Sequence, residues 1–115
     1  VESFNESLSN WNLSNVKDTF CMFFNTKNFN QSLNNWDVSN IETMKYMFWK
    51  AKSFNQPLNN WDVSNVINME DMFKECVNFN QSLNNWNVSN VKYMNKMFYK
   101  AISFNKKNAL WYNFE

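Results

Sequence analysis

Phenylalanine recurs at positions 4, 29, 54, 79 and 104, and tryptophan at 11, 36, 61, 86 and 111, with no insertion between copies. The four whole copies open with FNESLSNWNLSNV, FNQSLNNWDVSNI, FNQPLNNWDVSNV and FNQSLNNWNVSNV, and each continues into MxxMFxxA or a variant of it. A fixed period of this size means that each copy is one unit stacked on the last, because a single copy cannot offset its own ordering entropy. The 115 residues therefore read as a single domain, 1–115. Its repeats are 4–28, 29–53, 54–78 and 79–103, and 104–115 is a partial divergent repeat or C-terminal cap. In that last segment Lys106 and Lys107 appear, Asn108 takes the Leu position and Asn113 the inward Val position. The start at Val1, in mid-repeat, reads as a processed product or an excised fragment.

Within the copy 29–53, Trp36-Asp37-Val38-Ser39 alternates apolar and polar side chains, which predicts a short strand with Trp36 and Val38 inward. Ser39 and Glu42 have capping-box spacing. Ile41, Met44, Met47, Phe48 and Ala51 follow at helical spacing, and Lys50 and Lys52 would sit at the helix C-terminus. The expected fold is thus an α/β repeat, a leucine-rich-repeat-like solenoid. Each 25-residue coil supplies one short strand and one short helix, with a parallel sheet on one face. The Asn pairs 34–35, 59–60 and 84–85 are expected to make turns by tolerating left-handed backbone.

FNQPLNNWDVSNV followed by MxxMFxxA resembles the BspA-like leucine-rich-repeat surface proteins. It is closest to the lipoprotein-associated repeat of unknown function found in mycoplasmas and other low-GC bacteria. The likeness runs from residue 4 to about residue 105. Leu33-x-x-Trp36-x-Val38 is similar to the family's LxxLxL core, although Asn40 comes one residue early. The resemblance implies a solenoid on a cell-surface or secreted protein engaged in adhesion or host interaction, and it implies no catalytic residues.

The absences narrow the chemistry further. Formal charge is +1 and all eleven basic residues are Lys. Arg forks, which dominate phosphate and base-edge recognition, are missing, so nucleic acid is a disfavoured partner. No His supplies a general base or a metal ligand, and no Gly can build a phosphate-cradling loop. Cys21 and Cys76 lie two coils apart, too far for a disulfide, and no His is there to activate either thiol. Cys76 shares its position with Thr26, Ala51 and Ala101, so it reads as a buried filler. No cofactor or metal site and no direct membrane insertion are expected.

Two surfaces are candidates for function. One is the outside of the predicted helix, where Phe20, Phe24, Tyr46, Trp49, Tyr93 and Tyr99 alternate with Lys74 and Asp71 in positions that vary between copies. Exposed Tyr and Trp anchor protein interfaces. The other is a polar strand column of Asp37, Asp62, Ser39 and Ser64, fit at most for a weak cation or polar ligand, since two carboxylates are too few for a hard-cation cage. The expected function is a non-enzymatic surface module for protein–protein interaction or adhesion, extracellular or at the cell surface, with a lipid-anchored parent as one option. Its partner would be a host or cell-surface protein. The alternatives are a structural spacer or a rod self-assembling head to tail through uncapped ends, and a glycan-binding surface using Trp49 and the polar column.

Overall fold

A computed structural model describes residues 3–114. Residues 1, 2 and 115, the outer limits of the expected domain, lie outside the described residues. The copies stack in register as expected, but the α/β solenoid does not form. Among the described residues there is no α-helix, and the only helical element is a 3-10 turn, Lys106–Asn108. There is also no extended strand. Three isolated parallel bridges, Asp18 to Thr43, Thr43 to Asn68 and Asn68 to Tyr93, lie in the segment expected to be helical, and the expected strand Trp36-Asp37-Val38-Ser39 forms no ladder.

The helix is replaced by consecutive tight turns. In the copy 29–53, Met47, Trp49 and Ala51 each donate a backbone N–H to the carbonyl three residues back, at Met44, Tyr46 and Phe48. The intervening N–H groups of Met44, Tyr46, Phe48 and Lys50 leave the coil. They donate to the carbonyls of Asn68, Glu70, Met72 and Lys74 in the next one, at 2.8–3.1 Å. Alternate residues thus serve the coil and its neighbour, and no N–H is left over for an i to i−4 ladder. The turns demand left-handed backbone at the eighteenth and twenty-second positions of every copy. Cys21, Asn25, Tyr46, Lys50, Asp71, Glu75, Lys96 and Lys100 all have φ between 55° and 61°. That is the third position of a type II-like turn, usually given to Gly. This protein has no Gly to put there.

Layer thickness explains the preference for turns. Phe29, Phe54, Phe79 and Phe104 stack with ring centroids 5.8–5.9 Å apart. Phe23, Phe48, Phe73 and Phe98 form a second column at 5.4–5.6 Å. A helix is about 10 Å across with its side chains, so it would splay coils that the rings hold at half that spacing. A ribbon of turns lies flat within one layer.

The inward residues are those the sequence indicates. Ile41, Met44, Met47, Phe48 and Ala51 are fully buried, and Trp36 and Val38 point inward without any strand ladder around them. Four of the five column tryptophans are also tethered. The Nε1 groups of Trp36, Trp61, Trp86 and Trp111 donate to the carbonyls of Leu8, Leu33, Leu58 and Leu83 one coil back, at 2.8–2.9 Å.

Asparagine joins the coils from outside. Oδ1 of Asn5, Asn30, Asn55 and Asn80 accepts the backbone N–H of Asn30, Asn55, Asn80 and Asn105, at 2.8–2.9 Å. The Asn pairs 34–35, 59–60 and 84–85 do lie in turns, closed by the N–H of Trp36, Trp61 and Trp86. None of these six residues is left-handed, so the expected reason for them is corrected. The capping box is also absent, since Ser39 bonds back to Asp37.

The last segment closes the stack. The Tyr112 hydroxyl donates to the Met94 carbonyl at 3.0 Å and accepts the Met97 N–H at 3.2 Å, entering the turn that other copies close on themselves. Phe114 covers Phe98 and Phe104. The molecule measures 34 × 30 × 19 Å.

Candidate interaction surface

One flank of the turn ribbon carries side chains of the left-handed residues, all but the buried Asp71 at least partly exposed, beside aromatic neighbours of ordinary backbone. On this flank Phe20 packs edge-on against Tyr46 at 5.6 Å, and Trp49 lies 5.1 Å from Tyr46 and 4.7 Å from Phe24. Phe20 is 54% exposed and Phe24 38%, whereas Tyr46 and Trp49 are half-buried between them. Tyr99, 45% exposed, continues the flank through Lys74, whose ammonium lies 5.1 Å from the Trp49 ring and 5.7 Å from the Tyr99 ring. Five of the six aromatic candidates therefore form one strip. Tyr93 does not join them. It is exposed on the bridge column, away from the strip.

Lysines interleave the rings. Lys45 lies over Tyr46, Lys50 over Trp49, and Lys96 and Lys100 over Tyr99, at 5.2–5.5 Å, all within cation–π range. Two carboxylates answer them. Glu70 bonds Lys45 at 3.1 Å, and this bond, more than any other cause, raises the lysine's pKa. Glu75 accepts the Trp49 indole N–H at 3.1 Å. That bond, followed by the charges of Lys50, Lys100 and Lys74, holds its carboxyl below the usual range. Asp71 is different: it is buried, and its Oδ1 has no hydrogen-bond partner among the described residues.

The polar column forms local pairs and no continuous ladder. Asp37 Oδ1 accepts the Ser39 N–H at 3.0 Å and its hydroxyl at 2.6 Å, and Asp62 binds Ser64 in the same way at 3.0 and 2.5 Å. These bonds lower both carboxyl pKa values, and the charge of Asp37 works against the drop at Asp62. Among the described residues no three Cys, Asp or Glu side chains are grouped as a metal would require, and no helix is long and apolar enough to cross a membrane.

The sequence reading missed a polar concavity of about 510 Å³ between the columns, lined by Lys17, Asn40, Glu42, Asn65, Ile67, Asn90 and Lys92. Its signal was present, in the Asn held at the twelfth position of every copy. The Nδ2 groups of Asn40, Asn65 and Asn90 donate to the carbonyls of Ser14, Ser39 and Ser64, at 2.5–2.7 Å. These amides act as clips between coils.

Stacked identical coils, an aromatic core column and a flank of variable side chains define a tandem-repeat protein whose individuality lies on its surface. A family model described as "Mycoplasma protein of unknown function, DUF285" matches residues 22–114, and the chain belongs to that family. No curated protein and no solved structure matches it.

Proposed function

We propose that the chain is a non-enzymatic interaction module that binds a protein through the strip running from Phe20 and Phe24 across Tyr46 and Trp49 to Tyr99. The observation that carries this reading is variation within a constant frame. The core positions repeat nearly unchanged, whereas the strip holds Phe, Tyr, Trp, Lys and Glu by turns. Half-exposed Tyr and Trp give large contact area at low entropic cost. The likeness to BspA-like surface proteins supports display at the cell surface, with a host or cell-envelope protein as partner. A glycan platform is less favoured, because ammonium groups already lie over the Trp49 and Tyr99 rings that would face a sugar.

The test is alanine at Tyr46, Trp49, Tyr93 and Tyr99 together, with binding of surface-protein ligands measured on the immobilised chain. Loss of at least tenfold in affinity is expected. Unchanged binding by a folded variant would sink the reading. Alanine at Tyr93 alone is expected to change little, because Tyr93 stands off the strip.

A further inference from the structure

Charge along the stack is uneven in a way the net value hides. Between Cys76 and Phe114 the sequence has five lysines (92, 96, 100, 106 and 107) and no carboxylate. On the strip, the ammonium groups of Lys74, Lys96 and Lys100 lie 5.7, 5.5 and 5.4 Å from the centre of one ring, that of Tyr99. No two of the three can therefore be more than about 11 Å apart. Two carboxylates lie nearby: Glu75 is engaged by the Trp49 indole and feels the charges of Lys50, Lys100 and Lys74, and Asp71 is buried one coil below Lys96, so three ammonium groups still outnumber them at the surface. Like charges this close repel across roughly one Debye length, so the cluster favours an incoming anion.

Resting on the strip as the binding face, we infer that its Tyr99 end takes an acidic, extended peptide segment. The Tyr99 hydroxyl and the ammonium groups of Lys74, Lys96 and Lys100 receive its carboxylates. Alternate residues of an extended chain are about 6–7 Å apart, a spacing below the upper limit that the Tyr99 ring sets on the lysine separations. Carboxylate suits the donors present. Lys offers single-point charges and lacks the planar fork that grips phosphate. Nucleic acid also needs an open ring face for base stacking, and the Tyr99 ring is engaged by ammonium groups.

The experiment is fluorescence anisotropy with labelled deca-glutamate, at low salt and at 0.2 M salt, against deca-lysine and a ten-nucleotide oligothymidylate. Deca-glutamate alone is expected to bind, severalfold more weakly at the higher salt. Lys96→Asn with Lys100→Asn is expected to weaken it about fivefold or more. Asn25 already occupies the Lys100 position in the first copy with the same left-handed backbone, so the fold should hold. Lys74→Gln, at a position of ordinary backbone, gives an independent reading and is expected to weaken binding as well. Absence of deca-glutamate binding, equal binding by the folded lysine variants, or equal or tighter binding of oligothymidylate would each overturn the inference. If the four-alanine chain loses its protein ligand while the wild type ignores deca-glutamate, the interaction module stands and the acidic partner does not.

Discussion

Trp36, Trp61, Trp86 and Trp111 each contribute a hydrogen bond as well as a ring, and the two can be separated by substitution. Trp61→Phe keeps an aromatic in the layer but removes the 2.8 Å bond to the Leu33 carbonyl. It should cost about 1–3 kcal/mol in urea unfolding. The cysteines differ in access. The Cys76 thiol is buried, donates to the Ala51 carbonyl and has its pKa pushed far up by burial. Cys21 is partly exposed; burial raises its pKa, and Lys45 opposes the rise. A thiol reagent should therefore label Cys21 in the native protein and reach Cys76 only on unfolding, which mass spectrometry would show. The carboxyls of Asp37 and Asp62 are lowered by their Ser partners. A depressed folded value means that their stabilisation is complete above the unfolded pKa, near 3.9, and is lost as pH falls through the folded one. Asn12 and Asn87 fill the same position, and each accepts the N–H of the Ser two residues on. Asp37→Asn with Asp62→Asn should leave stability at pH 7 nearly unchanged and flatten its fall below pH 4, measured as melting midpoint against pH.

At the scale of the element, turn and helix make opposite demands on Lys100. In a helix, Gly there would cost about 1 kcal/mol. In the left-handed position of a turn, Lys100→Gly should stabilise by up to about 1 kcal/mol, and Lys100→Val should destabilise by more. Thermal melts of the two variants decide between the structures, and far-UV circular dichroism of the parent should lack the helical double minimum. The comparison also marks what the sequence could reveal. Burial of Ile41, Met44, Met47, Phe48 and Ala51 was legible, because turn and helix both bring these residues to one side. The backbone carrying them was not legible. Glycine is the usual sign of left-handed turns, and here Tyr, Asp, Glu and Lys stand in its place. The capping box at Ser39 and Glu42 misled for a related reason, since Ser39 had a nearer partner in Asp37. The strip was legible as a set of outward residues, but the lysines lying over its rings depend on contacts between coils that spacing alone does not give.

For the whole molecule, each interface between whole coils repeats one backbone pattern: N–H groups of the turn ribbon donate to carbonyls of the next coil, and the N–H groups of Glu42 and Thr43, Ile67 and Asn68, and Lys92 and Tyr93 donate back to the carbonyls of Lys17, Glu42 and Ile67. Every internal interface therefore has the same donors, acceptors and register. Deleting residues 54–78 would set the coil 29–53 directly on the coil 79–103 without a mismatch. The shortened chain should still unfold cooperatively, with an m-value in urea lower by roughly a fifth, as the lost surface dictates. Failure to fold would mean that some contact beyond nearest neighbours is required.

The eight left-handed residues give the architecture a last consequence. A backbone left to its own energetics would put the same side-chain-free residue at all eight positions, and every copy would then look alike from outside. This chain accepts a little strain at each position and gains a letter there: Cys, Tyr, a buried Asp and Lys at one, Asn, Lys, Glu and Lys at the other. The least comfortable points of the main chain are thus where one copy can be told from the next. A longer or shorter array would spell a different word in the same type.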